Sequence, residues 1–175
     1  MADIILITGG SRSGKSRHAL ELGEILGRER MFLATCPHLD EEMEQRIRRH
    51  VAERQPGGWQ THEEELDLKG GLTRLGGEVV VVDCLTLWVN NLIFHAGAVD
   101  VTESEVASRC EEITATCHER SGHVIFVSNE VGLGVVPDTP LARRYRDLVG
   151  RCNQTISHAA SHLTLMVSGV PMKIK

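Results

Sequence analysis

Aromatic residues are scarce in this sequence: two Trp, one Tyr and three Phe make up 3% of 175 residues. The core must therefore be aliphatic, and a nucleic-acid surface that stacks bases against rings is excluded. An excess of positive charge is also missing. Nineteen Lys and Arg against 24 Asp and Glu leave a formal charge of -5, the wrong sign for a domain that grips a polyanion across a whole face. Any phosphate recognition must be local. No apolar run approaches the roughly 18 residues that span a bilayer, and no N-terminal stretch has the pattern of a secretion signal. Five cysteines, Cys36, Cys84, Cys110, Cys117 and Cys152, are odd in number and contain no C-x-x-C pair. They read as buried thiols in a reducing cytosol rather than a disulfide frame or zinc site, so the expected location is cytoplasmic. Repeats and low-complexity linkers are absent, and residues 1–175 read as one domain.

What is present is alternation. Apolar runs at 4–8, 31–35, 79–83, 124–128 and 163–168, with a weaker one at 59–63, are separated by helical patterns at 15–26, 41–54, 66–75, 85–94, 103–120 and 141–160. Strands that are apolar on both sides belong in a parallel sheet with helices on both faces, so the expected class is α/β in three layers. The clearest helix is 103–120, where Val106, Cys110, Ile113 and Cys117 share one face and Thr102 with Glu105 forms a capping box.

Between the first run and the first helix stands Gly9-Gly10-Ser11-Arg12-Ser13-Gly14-Lys15-Ser16, which fits G-x-x-x-x-G-K-[ST]. Glycines let the backbone curl so that its N–H groups point inward, and the helix N-terminus adds partial positive charge against a phosphate. Lys15 would reach the β and γ oxygens, and the Ser16 hydroxyl would ligate Mg²⁺. Val79-Val80-Val81-Val82-Asp83 delivers a carboxylate at the end of a strand. It suits the acid that holds the Mg²⁺ shell opposite the loop, or a plain cap for the helix that follows. Asn129 and Glu130 follow the run at 124–128, where open α/β sheets bind ligands, or form an ordinary turn.

The helix at 41–54, which Asp40 can cap, carries an apolar stripe of Met43, Ile47 and Val51. Arg46, His50 and Arg54 repeat every four residues on another face, with an imidazole between two guanidinium groups. Such a face can hold a triphosphate and offer a neutral imidazole as nucleophile, or be a solvated charged surface.

With these landmarks in order, the chain resembles the bifunctional adenosylcobinamide kinase/adenosylcobinamide-phosphate guanylyltransferase family of cobalamin biosynthesis. The resemblance runs through the phosphate loop, Ala34-Thr35-Cys36, Arg46-Ile47 with His50, Trp59 with Glu63, Asp83-Cys84-Leu85-Thr86 with Trp88 and Asn91, Asn129-Glu130-Val131-Gly132, Gly150-Arg151 with Asn153-Gln154, and Val167-Ser168-Gly169. It implies a P-loop NTPase fold of RecA-like topology and two reactions. Adenosylcobinamide is phosphorylated with ATP or GTP, and GMP is then transferred from GTP to the product, giving adenosylcobinamide-GDP and pyrophosphate. It further implies GMP carried on His50 and GTP contacts at 9–16, at Ala34, Thr35 and Cys36, at Val51, Ala52, Glu53 and Arg54, and at Glu63 and Asp83. Mg²⁺ on Ser16 and Asp83, a corrinoid substrate, no nucleic-acid partner and a homotrimer complete the expectation. Arg49 stands where some relatives have a second histidine, so the helix offers one nucleophile. Two other readings remain at this point: a small-molecule kinase without a covalent intermediate, using Arg143, Arg144 or Arg146 for charge stabilisation, and a non-catalytic nucleotide switch.

Overall fold

The computed structural model describes residues 1–37, 41–95 and 101–175. Its elements are β1 (Asp3–Gly9), α1 (Lys15–Leu26), β2 (Arg30–Ala34), α2 (Glu41–Arg54), β3 (Gln60–Glu63), α3 (Leu68–Arg74), β4 (Val79–Asp83), α4 (Leu85–His95), α5 (Glu103–Glu119), β5 (His123–Val127), α6 (Pro140–Ala159), β6 (His162–Val167) and β7 (Val170–Lys173). Short 3-10 turns lie at Gln55–Gly57 and Val131–Leu133.

Strands with no polar face have no side to show to water, and the sheet is covered on both. Ile4, Leu6, Val80, Val82, Val124 and Phe126 face a cluster with α3, α4, α5 and α6. The alternate residues Ile5, Ile7, Val79, Val81, Ile125 and Val127 face Ala19 and Leu22 of α1 together with Phe32 and Trp59. Each such side chain, fully buried, contributes about 1.5–3 kcal/mol. Gly23 lets α1 approach closely: a Cβ there would lie 2.5 Å from the Trp59 ring.

The strand order is β3-β2-β4-β5-β1-β6-β7, parallel except for β7. The strand ending in Asp83 is thus one strand removed from the strand that enters the phosphate loop, roughly 10 Å at two inter-strand spacings. α5 starts on the capping box read from the sequence, Thr102 and Glu105 each accepting the other's backbone N–H.

Two features differ from the expectation. α3 begins at Leu68, because Glu64 accepts the N–H groups of Leu66 and Asp67 and holds 64–67 in a turn, and Asp67 then caps the helix through Gly70. β7 was not expected: it is exposed and contains Pro171, which the outer position of an edge strand tolerates. The five cysteines form no disulfide. Cys110 and Cys152 bring their sulfurs to 3.5 Å in the core, and burial pushes the Cys117 thiol up to about 12. The expected cap Asp40 and the side chains of Met43, Arg46, Arg49 and Glu53 lie outside the described residues. No helix among the described residues is long and apolar enough to cross a membrane.

Candidate active site

The chain must turn sharply after β1, and glycine makes this possible. Gly9 has φ +149°, and a Cβ there would meet the Met166 carbonyl oxygen at 2.5 Å; Gly14 caps α1 at φ +94°. Ser13 N–H donates to the Gly10 carbonyl, closing the loop at 3.3 Å. Lys15 curls back over it, donating to the Gly10 carbonyl at 2.6 Å and to Ser13 Oγ at 3.4 Å. Burial lowers the Lys15 pKa, and the attraction of Asp83 and Cys84 only partly offsets this. An ammonium with little water around it is ready to exchange a loop carbonyl for phosphate oxygens. Gly10, Ser11 and Arg12 are exposed on the same loop.

Asp83 is the meeting point. Burial raises its pKa, against a hydrogen bond from Ser16 and the influence of His50, Arg54 and Lys15. The residues that the sequence scattered over 15–83 therefore converge on one carboxylate. A half-buried carboxylate beside a serine hydroxyl at a helix N-terminus offers a pair of hard oxygens of the kind that suits Mg²⁺ with most of its waters retained.

α2 reaches this point because its last turn is fastened to the sheet. Arg54 is 7% exposed, its guanidinium lies 3.7 Å over the Phe32 ring, and its Nη2 donates to Thr61 Oγ1 at 3.1 Å. Phe32 meets Trp59 edge-on at 6.4 Å. His50 sits one turn earlier and is half-buried; Val51 is half-buried and Ala52 exposed. Arg54 is thus in part an anchor, a role the spacing with His50 did not reveal.

Ala34, Thr35 and Cys36 lie at the end of β2, beside Asp83 in register. Thr35 is fully buried: its hydroxyl donates to the Cys84 carbonyl at 2.8 Å and accepts the Cys84 N–H at 2.7 Å, and Asn91 Nδ2 donates to its carbonyl. Its hydroxyl fixes the backbone that carries Asp83. Glu63 is exposed at the end of β3, flanking Ala34 on the side opposite Asp83.

Sequence reasoning missed two supports. The β6–β7 turn braces the phosphate loop, Gly169 N–H donating to the Ser13 carbonyl at 2.9 Å. A buried polar network, made by Thr86, Ser128 and Asn153, holds the turn after β5. The signal was present, since Thr86, Asn153 and Gly169 were among the landmarks, but no spacing rule joins them. Of the arginines considered for a kinase, Arg143 donates to the carbonyls of Pro137 and Asp138, Arg144 to that of Val101, and Arg146 pairs with Asp147.

A Gly-rich loop with Lys and Ser between strand and helix, and an acid two strands away across β5, define a P-loop NTPase of RecA-like topology. A KaiC-like protein from Pyrococcus horikoshii OT3 has the same fold at TM-score 0.54 and 12% identity, covering 93% of this chain and 70% of its own. So does a RadB recombinase, at 0.53 and 14%, covering 93% and 73%. The chain belongs to the cobinamide kinase/cobinamide phosphate guanyltransferase family, whose profile matches residues 5–174. It is 39% identical to the bifunctional adenosylcobalamin biosynthesis protein CobU of Escherichia coli, over 98% of this chain and 99% of that one. It is 37% identical to CobU of Salmonella typhimurium with the same coverage, and 41% identical to CobP of Pseudomonas aeruginosa over 100% and 98%.

Proposed function

We propose that this protein phosphorylates adenosylcobinamide on its aminopropanol hydroxyl with ATP or GTP and then transfers GMP from GTP to that phosphate by way of His50. The observation that carries the reading is the convergence of Lys15, Ser16 and His50 on Asp83, since a kinase alone has no use for an imidazole there. Family membership supports the two activities.

The loop amides of 9–16 and Lys15 bind the β and γ phosphates. Mg²⁺, held by Ser16 and Asp83, supplies countercharge to the phosphate oxygens when bound. A ring nitrogen of His50 attacks the α-phosphorus: a nitrogen–phosphorus bond forms and the bond to pyrophosphate breaks. A phosphate oxygen of adenosylcobinamide phosphate then attacks the same phosphorus, releasing His50 and giving adenosylcobinamide-GDP. Splitting one displacement into two lets the bulky corrinoid arrive after pyrophosphate has left. Glu63 and the 34–36 and 51–54 segments line the GTP site in this reading. The chain works as one cytoplasmic domain, assembled as a homotrimer.

Incubation with α-labelled and, separately, γ-labelled GTP without acceptor tests this directly. The α-label stays on the denatured protein, labile to acid and stable to alkali as a phosphoramidate is, and the γ-label does not. A chain that retains neither label and still phosphorylates adenosylcobinamide is a simple kinase.

A further inference from the structure

A hydroxyl is a poor nucleophile until something takes its proton. Among the described residues, three strand ends at the C-terminal edge of the sheet carry carboxylates: Glu63 on β3 with Glu64 and Glu65 after it, Asp83 on β4 and Glu130 after β5. The β3 group is separated from the phosphate-loop strand by β2, β4 and β5. Asp83 faces Ser16 and Lys15, which favour its charged form. Glu130 is different: β5 pairs directly with β1, and Glu130 N–H donates to the carbonyl of Gly9, the first residue of the phosphate loop, at 3.1 Å.

Its carboxylate is held by the buried network. Asn153 Nδ2 donates to Glu130 Oε1 at 3.4 Å and to the Asn129 carbonyl at 3.0 Å. Asn153 Oδ1 accepts from Ser128 Oγ at 2.6 Å, Ser128 meets the Thr86 hydroxyl at 3.3 Å, and Thr86 Oγ1 accepts the Asn129 N–H at 2.8 Å. Ser128, Thr86 and Asn153 are 0%, 4% and 7% exposed. A network so fully satisfied is rigid, and it holds a half-buried carboxylate on the residue whose backbone is tied to the first residue of the loop, with Oε2 engaged by no hydrogen bond among the described residues.

We infer that Glu130 is the general base of the kinase step, an assignment that rests on the kinase half of the proposed function. As the substrate oxygen bonds to the γ-phosphorus, its proton passes to Glu130 and the bond from that phosphorus to the β-phosphate oxygen breaks, leaving a nucleoside diphosphate. His50 is carried by α2, fastened over β2 and β3, so the two half-reactions use opposite sides of Asp83. Loss of Glu130 then spares guanylylation.

The test compares wild type, Glu130→Gln and Glu130→Ala full-length protein in three assays: single-turnover phosphorylation of adenosylcobinamide, covalent uptake of α-label from GTP, and nucleotide affinity by calorimetry. Gln keeps an acceptor for Asn153 and cannot take a proton. The expected result is a kinase rate ~10²–10⁴-fold lower, with label uptake and affinity within about threefold of wild type by the same measure, and partial recovery of the Glu130→Ala kinase rate in sodium formate. A Glu130→Gln kinase rate close to wild type overturns the assignment. So does equal loss of kinase, label and affinity, which makes Glu130 a support of the loop. If wild type itself phosphorylates no adenosylcobinamide, the functional reading fails first and the base falls with it.

Discussion

Tyr145, the one tyrosine of the chain, gives an unobstructed view of the packing between α4 and α6. Its hydroxyl donates to the Thr86 carbonyl at 3.3 Å, and burial, with a smaller contribution from Cys84, pushes its pKa up to about 12. A pKa raised above the unfolded value of about 10 means that this group's contribution to stability is complete below pH ~10 and is lost as pH climbs toward 12. Ultraviolet titration should show phenolate near pH 10 in urea and only toward pH 12 in the native protein. Native ionisation near pH 10 would contradict the burial. Tyr145→Phe should remove this part of the alkaline loss and cost about 0.5–1 kcal/mol at pH 7. Lys15 has the opposite sign. Its pKa is lowered by burial, so the charged side chain opposes folding at every pH below its folded pKa. Lys15→Met should therefore melt no lower than wild type at pH 7 while its calorimetric affinity for Mg-GTP falls at least ~100-fold, roughly the 3 kcal/mol of a charge-assisted contact. Binding retained in the variant would sink the phosphate-loop assignment.

At the scale of elements, α2 is the helix whose position decides the proposed GMP transfer. Its last turn rests on the Arg54–Phe32–Trp59 stack, and Trp59 in turn fills the notch at Gly23 of α1, the helix that begins with Lys15 and Ser16. Arg54→Ala removes the cation–π contact and the bond to Thr61, a loss of about 1–3 kcal/mol. It should slow guanylylation more than kinase turnover; an equal effect on both would show that the stack serves stability alone. Gly23→Ala, which drives a methyl into the Trp59 ring, should lower the melting temperature. The sequence made much of this architecture legible, because Val79–Val82 can only be a strand buried on both faces and 9–16 can only curl around an anion. The helical period also placed His50 and Arg54 one turn apart on α2. It could not reveal that Arg54 lies down on Phe32, since that depends on where β2 and β3 run under the helix. The network of Thr86, Ser128 and Asn153 was illegible for the same reason: three single polar residues from distant segments have no period. β7 was hidden by Pro171 and by its exposure.

For the molecule as a whole, the strand order β2-β4-β5-β1 sets the site. It places the acid of β4 and the loop of β1 on either side of β5, and in the proposed function the nucleotide spans them. A ligand held by both halves must stabilise the whole fold. Mg-GTP at 100 times its dissociation constant adds about 2.7 kcal/mol, which for a domain of this size raises the melting temperature by roughly 5–10 °C. Lys15→Met should show no such rise, measurable by thermal shift. The claim that binds the account together is that two reactions share this loop and metal site but only one of them needs His50. Its most direct test is His50→Asn in the full-length protein, assayed side by side for covalent α-label from GTP and for phosphorylation of adenosylcobinamide. The account predicts that label and GMP transfer vanish while phosphorylation persists at a measurable rate. Label retained by the variant, or phosphorylation lost to the same extent as transfer, would contradict it.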